Sequence, residues 1–199
     1  MKNLLFTVLL LTASLAFAGD TTWKLDLSHS KALFTVSHMV ISEVTGRFTD
    51  FDLNLIQKGN DFTGSTVSVT VKTTSINTDN DGRDKHLRSA DFFDVEKYPE
   101  ATFVSKSFTK NADGTYTVTG DFTLRGVTKQ ISLTAKFNGT MKDPWGNERA
   151  GFKVTGTINR AEYGLKWNKV LEAGGFMVGE NIDLTFQVEL VKEKNEEKK

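Results

Sequence analysis

An all-β fold of roughly eight antiparallel strands, closed as a barrel or stacked as a sandwich, is what this sequence predicts. Three observations carry the expectation. Apolar and polar residues alternate with a period of two in run after run. Short turn signals separate the runs, which makes neighbouring strands antiparallel. The composition holds 25 Thr and 15 Phe but only 2 Pro among 199 residues, a bias towards strand formers.

The alternation can be followed in order. Ala32, Phe34, Val36 and His38 share one face of the first run, with Thr35 and Ser37 opposite. Phe51, Leu53 and Leu55 follow, then Val67, Val69 and Val71. Tyr116, Val118, Gly120, Phe122 and Leu124 form one apolar face, and Ile131, Leu133, Ala135 and Phe137 another. Phe152, Val154, Gly156 and Ile158 precede the last set, Ile182, Leu184, Phe186 and Val188. Between them lie Lys58-Gly59-Asn60-Asp61, Asn111-Ala112-Asp113-Gly114, Arg125-Gly126 and Asp143-Pro144-Trp145-Gly146-Asn147. Gly120, Gly156 and Ala135 are small and sit on inward faces, leaving room inside. Periodicity alone does not separate a filled barrel from a hollow one.

Two stretches break the rhythm. Asp81 to Val95 has no alternation and suits a helical turn over Arg83 to Ser89. Glu162 to Gly179 carries Tyr163, Trp167 and Phe176 among four glycines, which reads either as a plug for one barrel end or as a lid.

The ends speak to destination. Met1-Lys2-Asn3, an apolar Leu4 to Leu11 interrupted by Thr7, and Ala16-Phe17-Ala18 form a secretory signal with cleavage expected before Gly19. The apolar part is far short of the roughly 20 residues that span a bilayer. The expected organisation is a leader over 1–18, one domain over 19–191 and a charged, fraying tail over 192–199. The product is expected to be exported and soluble.

Composition and motifs exclude several activities. Lys plus Arg equals Asp plus Glu at 25 each, so the basic surface of a nucleic-acid binder is missing. Without Cys there is no disulfide, thiolate metal site or cysteine nucleophile. His29, His38 and His86 stand far apart, and no metal-ligand spacing, nucleophile elbow or phosphate loop occurs. Gly174-Gly175 with Gly179 lacks dinucleotide-binding spacing, and Asp91 and Asp94 look like a solvated loop. No enzyme, cofactor or metal is expected. Arg83, His86 and Leu87 lie within one turn of a helix, and Arg160 ends an apolar strand, where it would tie a loop down or meet a ligand.

Several pieces in order carry a resemblance. Thr22-Trp23-x-Leu25-Asp26-x-x-His29-Ser30 leads to Phe34-x-Val36-x-His38-Met39 and Val44-x-Gly46-x-Phe48. Arg83-Asp84-x-His86-Leu87-Arg88-Ser89-x-Asp91-Phe92-Phe93 and Gly120-x-Phe122-Thr123-x-Arg125-Gly126-Val127-Thr128 follow. Asp143-Pro144-Trp145-Gly146, Ile158-Asn159-Arg160-x-x-Tyr163-Gly164-Leu165 and Val178-Gly179-x-x-Ile182 complete the set. The chain resembles the YceI-like family of periplasmic polyisoprenoid-binding proteins across essentially all of the segment after the leader. Tyr163 stands where many relatives carry Phe, and the missing Cys separates the chain from lipoprotein-like relatives.

The resemblance implies an extended, lipocalin-like barrel of eight antiparallel strands with a short helix, around a long apolar tunnel. It implies a polyprenyl alcohol, phosphate or quinone as ligand, carried without covalent chemistry. Taken with the alternation, it nominates Phe34, Val36, Phe48, Phe51, Val69 and Phe103 as tunnel lining, together with Phe122, Leu133, Phe137, Phe152 and Phe186. His38, Arg83, His86 and Arg160 are nominated for the head group or its lid. Expected partners are a polyisoprenoid lipid or prenyl quinone, and transiently the inner membrane or a membrane redox protein, for a monomer or homodimer. The rival reading is an envelope stress or redox-partner module with a filled barrel. A third, modification of a bound quinone, would need His38 as proton donor.

Overall fold

The computed structural model describes residues 19–59, 61–172 and 174–194. The leader expected over 1–18, and the tail beyond Lys194, lie outside the described residues. The strands are β1 (Thr21–Leu25), β2 (Lys31–His38), β3 (Ser42–Phe48), β4 (Phe51–Gln57), β5 (Thr66–Lys72) and β6 (Ile76–Asn77). After helix α1 (Asp81–Arg88) come β7 (Glu100–Lys110), β8 (Tyr116–Leu124), β9 (Val127–Lys142), β10 (Glu148–Asn159) and β11 (Val178–Lys192).

The order β1-β4-β5-β7-β8-β9-β10-β11 returns to β1, so eight antiparallel strands close a barrel. Closure settles the choice between barrel and sandwich and pairs each of the eight ring strands on both sides, while the β2-β3-β6 extension keeps an edge at β6. β2, β3 and β6 are the upper halves of strands bent at corners. The first half of β11 pairs with β2 and its last residues pair with β1.

Polar side chains hold the corners. Asp26 accepts from the Ser28 amide and starts the 3-10 turn Leu27–His29 between β1 and β2. Between β3 and β4 the amides of Thr49 and Asp50 donate to the carbonyl and hydroxyl oxygens of Ser75. At the upper end β7 begins opposite Lys72, leaving β6 without a partner on that side. Helix α1 and residues 89–98 stand there. Arg83 and Arg88 tie the helix down through the carbonyls of Thr78, Thr74 and Ile76 at 2.6–2.8 Å. The Asn80 side chain caps α1 by accepting from the Arg83 amide.

Two expectations need correction, and one strand has no counterpart in the alternation. The charged tail was expected from Lys192, but Lys192 lies opposite Trp23 in the β1–β11 ladder and its ammonium pairs with Glu148 at 2.6 Å. Gly120 and Gly156 leave room for neighbours, not for a ligand. A Cβ on Gly120 would sit 2.4 Å from the Val104 carbonyl oxygen and 2.6 Å from the Phe103 ring, and one on Gly156 would sit 2.4 Å from Leu133 Cδ2. Strand β7 escaped the alternation reading because Lys106 is an extra residue opposite β8, between Ser105 and Ser107. That bulge changes the parity, so Phe103 and Phe108 face inward although five positions separate them.

Candidate functional site: an apolar tunnel

The inward residues form two clusters, one around Trp23, Phe62 and Phe152 at the lower end and one around Phe51, Phe92 and Tyr163 at the upper end. Neither fills its half. A lower chamber of about 90 Å³ and an upper one of about 120 Å³ lie in line along the barrel. Val71, Ala101, Phe122, Leu184 and Phe186 border both and form the waist. Phe122, Leu184 and Phe186 face inward on closed strands yet stay only partly buried, because they border open space. A chamber walled by apolar side chains offers water no partners and favours hydrocarbon.

Ten of the eleven nominated lining residues border these chambers. Phe34, Val36 and Phe48 are on the upper one, and Phe51, Val69, Phe103, Leu133 and Phe152 are on the lower one. Phe122 and Phe186 are on both. Phe137 is the exception. It stacks with Phe62 and Phe152, centroids 5.1 Å away in each case, in an aromatic plug that closes the lower end. Trp23 completes the plug and donates from Nε1 to Gln57 Oε1 at 2.8 Å.

Alternation missed Phe108, which borders the lower chamber through the Lys106 bulge. It also missed Leu87, which reaches the upper chamber from α1, and Phe92, Phe93 and Leu165, which reach it from irregular segments. Aromatic residues in loops were the available signal.

The polar candidates do not converge on one point. His38 ends β2 opposite Val178 and Ser42 and borders neither chamber, so a proton donor is not placed in the tunnel there. Arg83 is spent on Thr78. His86 bonds Asp91 at 2.9 Å and stands edge-on to Phe92 and Trp167, with centroids 5.0 and 4.8 Å away. Phe92 and Trp167 thus form a wall of the upper end that His86 braces.

Arg160 is buried beside the upper chamber and works as a backbone clamp. It donates to the carbonyls of Gly179 at 2.7 Å, Leu165 at 2.5 Å, Trp167 at 3.0 Å and Val178 at 3.2 Å. Burial pulls its pKa below the ordinary arginine value, but a guanidinium stays charged at any physiological pH. The four carbonyls join the segment after β10 to the start of β11. Tyr163, buried in the same turn, has its phenol pKa raised by desolvation, with Glu162 adding to the effect.

One acidic group sits away from the tunnel. Asp26, His29 and Glu189 are close enough to suggest a cation site, but Arg149 already occupies it. Its Nη1 lies 2.6 Å from Asp26 and 2.5 Å from Glu189, while Nε reaches Asp143 at 2.9 Å. Hydrogen bonds from Ser28 and Arg149 hold Asp26 well below the usual carboxylate range. For Asp143, burial opposes the charge, but donors from Asn147 and Arg149 outweigh it and hold that carboxyl well down too. The group binds β10 to β11 and to the corner after β1.

Comparison with known proteins agrees with this architecture. The YceI-like domain family matches residues 23–190. A UPF0312 protein of Pseudomonas putida is 42% identical over 185 residues, which cover 93% of this chain and 93% of the relative. Among solved structures, BcnA of Burkholderia cenocepacia superposes with a TM-score of 0.73 at 19% identity, over 83% of this chain and 98% of that one. A polyisoprenoid binding domain from Saccharophagus degradans superposes with a TM-score of 0.62 at 18% identity, over 86% and 98%. The last two establish likeness of fold. With the family match spanning the whole barrel, the chain belongs to the YceI-like domain family.

Proposed function

We propose that this protein binds the hydrocarbon chain of a polyisoprenoid lipid (a polyprenyl alcohol, phosphate or quinone) in its tunnel, and carries or stores it in the periplasm without covalent chemistry. The observation that carries the reading is the pair of in-line chambers walled by apolar side chains. An isoprenoid tail needs only shape and apolar surface, and each Å² it buries contributes roughly 25 cal/mol. The family and the S. degradans neighbour, described as a polyisoprenoid binding domain, support the choice of chain. The periplasmic location rests on the leader-like segment at 1–18.

The geometry also favours one orientation. The lower end is closed by Trp23, Phe62, Phe137 and Phe152, and the lower chamber offers a polar head group nothing to bond. The tail would point to the plug and the head group would stay at the upper end, among the loops that Arg160 and α1 hold.

Native mass spectrometry of protein purified from periplasm without detergent, followed by lipid extraction, tests the reading. A stoichiometric adduct in a polyprenyl mass series is expected. Folded, empty protein that takes up no added prenyl lipid would replace the carrier with the filled-barrel interaction module.

A further inference from the structure

The upper end carries an exposed apolar tip built from two segments. In the β2–β3 turn Val40 is 73% and Ile41 86% exposed, with Met39 exposed beside them. In the segment before β11, Val170 is 78% exposed and Phe176 is also exposed. The segments are joined: the Met39 amide donates to the Met177 carbonyl at 2.8 Å, Val170 and Phe176 form a β-bridge, and the Met177 amide donates to Lys169.

The turn is costly in two ways. Met39 and Val40 hold φ of 52° and 66°, a left-handed conformation that Asn or Gly adopts with ease and a β-branched residue resists. The same residues present their apolar surface to water. Strain and exposure in one hairpin mark a surface kept for contact.

We propose that this tip docks the upper end of the barrel on a lipid bilayer, by inserting Ile41, Val40 and Phe176 at the headgroup boundary. The inference rests on the lipid-carrier reading for its choice of partner. A polyisoprenoid has no aqueous pool, so its source and destination is a membrane. Continuity points the same way. Val36 and Val178 border the upper chamber, and the chain leads from them within three residues to the tip residues Met39 and Phe176. The tip projects outward, which suits insertion into lipid better than seating in a rigid protein pocket. Lys166 and Lys169 are exposed nearby, but so are Glu43 and Glu172. The contact is therefore apolar, not electrostatic.

The test is sedimentation of the purified protein with vesicles of phosphatidylethanolamine and phosphatidylglycerol, at low and high salt. Wild type is expected to bind at both. Ile41→Asp should lower the partition coefficient at least about tenfold, with uptake of prenyl lipid from ethanolic solution unchanged. Val40→Asn is the second variant. It relieves the backbone strain, so Tm should rise while vesicle binding falls, a combination that a purely structural turn does not produce. Absent wild-type binding, binding that high salt abolishes, or equal binding by all three proteins would overturn the proposal. So would a wild-type dimer, formed without vesicles, that Ile41→Asp dissociates while vesicle binding stays intact; the tip would then join two copies. Vesicle binding that responds to the variants as expected supports the docking tip even if no prenyl lipid is ever taken up, a result that would sink the carrier reading alone.

Discussion

Phe122 meets Tyr163 edge to face, with ring centroids 5.4 Å apart and planes inclined at 70°. Phe122 borders both chambers, whereas Tyr163 belongs to the turn that Arg160 clamps. The waist of the tunnel and the loop at its upper end are thus one packed unit.

A charge at the waist should therefore empty the tunnel. Phe122→Asp would bring a carboxylate against apolar walls with no partner, and uptake of a fluorescent prenyl analogue should be lost. Thr123→Asp is the control, since Thr123 faces outward and bonds Thr128 there at 2.8 Å. It should leave uptake and Tm nearly unchanged. Equal uptake by both folded variants would mean the lipid lies elsewhere.

Gly156→Ala should shrink the lower chamber. The new methyl would meet the end of the Leu133 side chain, which can turn aside only into the space it borders. A stability loss near the low end of about 1–3 kcal/mol is expected, with a shift towards shorter prenyl chains in extracted lipid. Gly120→Ala meets the backbone oxygen of Val104, which yields less, so its chemical denaturation midpoint should fall further.

Arg160→Met should loosen the upper end. Its packing volume is kept, but four carbonyls lose their donor, at a cost of about 1–3 kcal/mol. Proteolytic cleavage within 164–177 should quicken before global unfolding does. Arg160→Lys should not rescue it, because one ammonium does not reproduce the planar fork.

The Arg149 cluster makes a pH prediction. Asp26 and Asp143 have folded pKa values held below the unfolded 3.8, so their stabilisation is present above that value and is lost as pH falls through the folded ones. Tm should therefore drop on acidification below about pH 4. In Arg149→Met the drop should be shallower, starting from a lower Tm at neutral pH. Parallel Tm curves for the two proteins would show that the cluster does not set acid stability.

Much of the barrel was legible along the chain. Alternation through Phe122, Leu133 and Phe186 put the right faces inward, since side-chain direction in a strand is local and has a period of two. The same reasoning failed where one extra residue, Lys106, reversed the parity and hid Phe108. It failed again for Phe137, which has the correct face but lies so far along β9 that it reaches the plug. Phe62, Phe92 and Leu165 had no period at all to reveal them.

The sequence by itself determined most of the strands and their inward faces, the irregular segments and the family. Whether the interior is full or hollow, and what the polar residues do, was decided only by tertiary structure. The two questions have the same physical root. Closure depends on how far each strand runs past its neighbours, and an arginine's role depends on which carbonyls surround it. Arg160 reads as a loop anchor or a ligand contact until Leu165, Trp167, Val178 and Gly179 are folded around it. Both are relations between residues distant in the chain, and a local pattern does not record them.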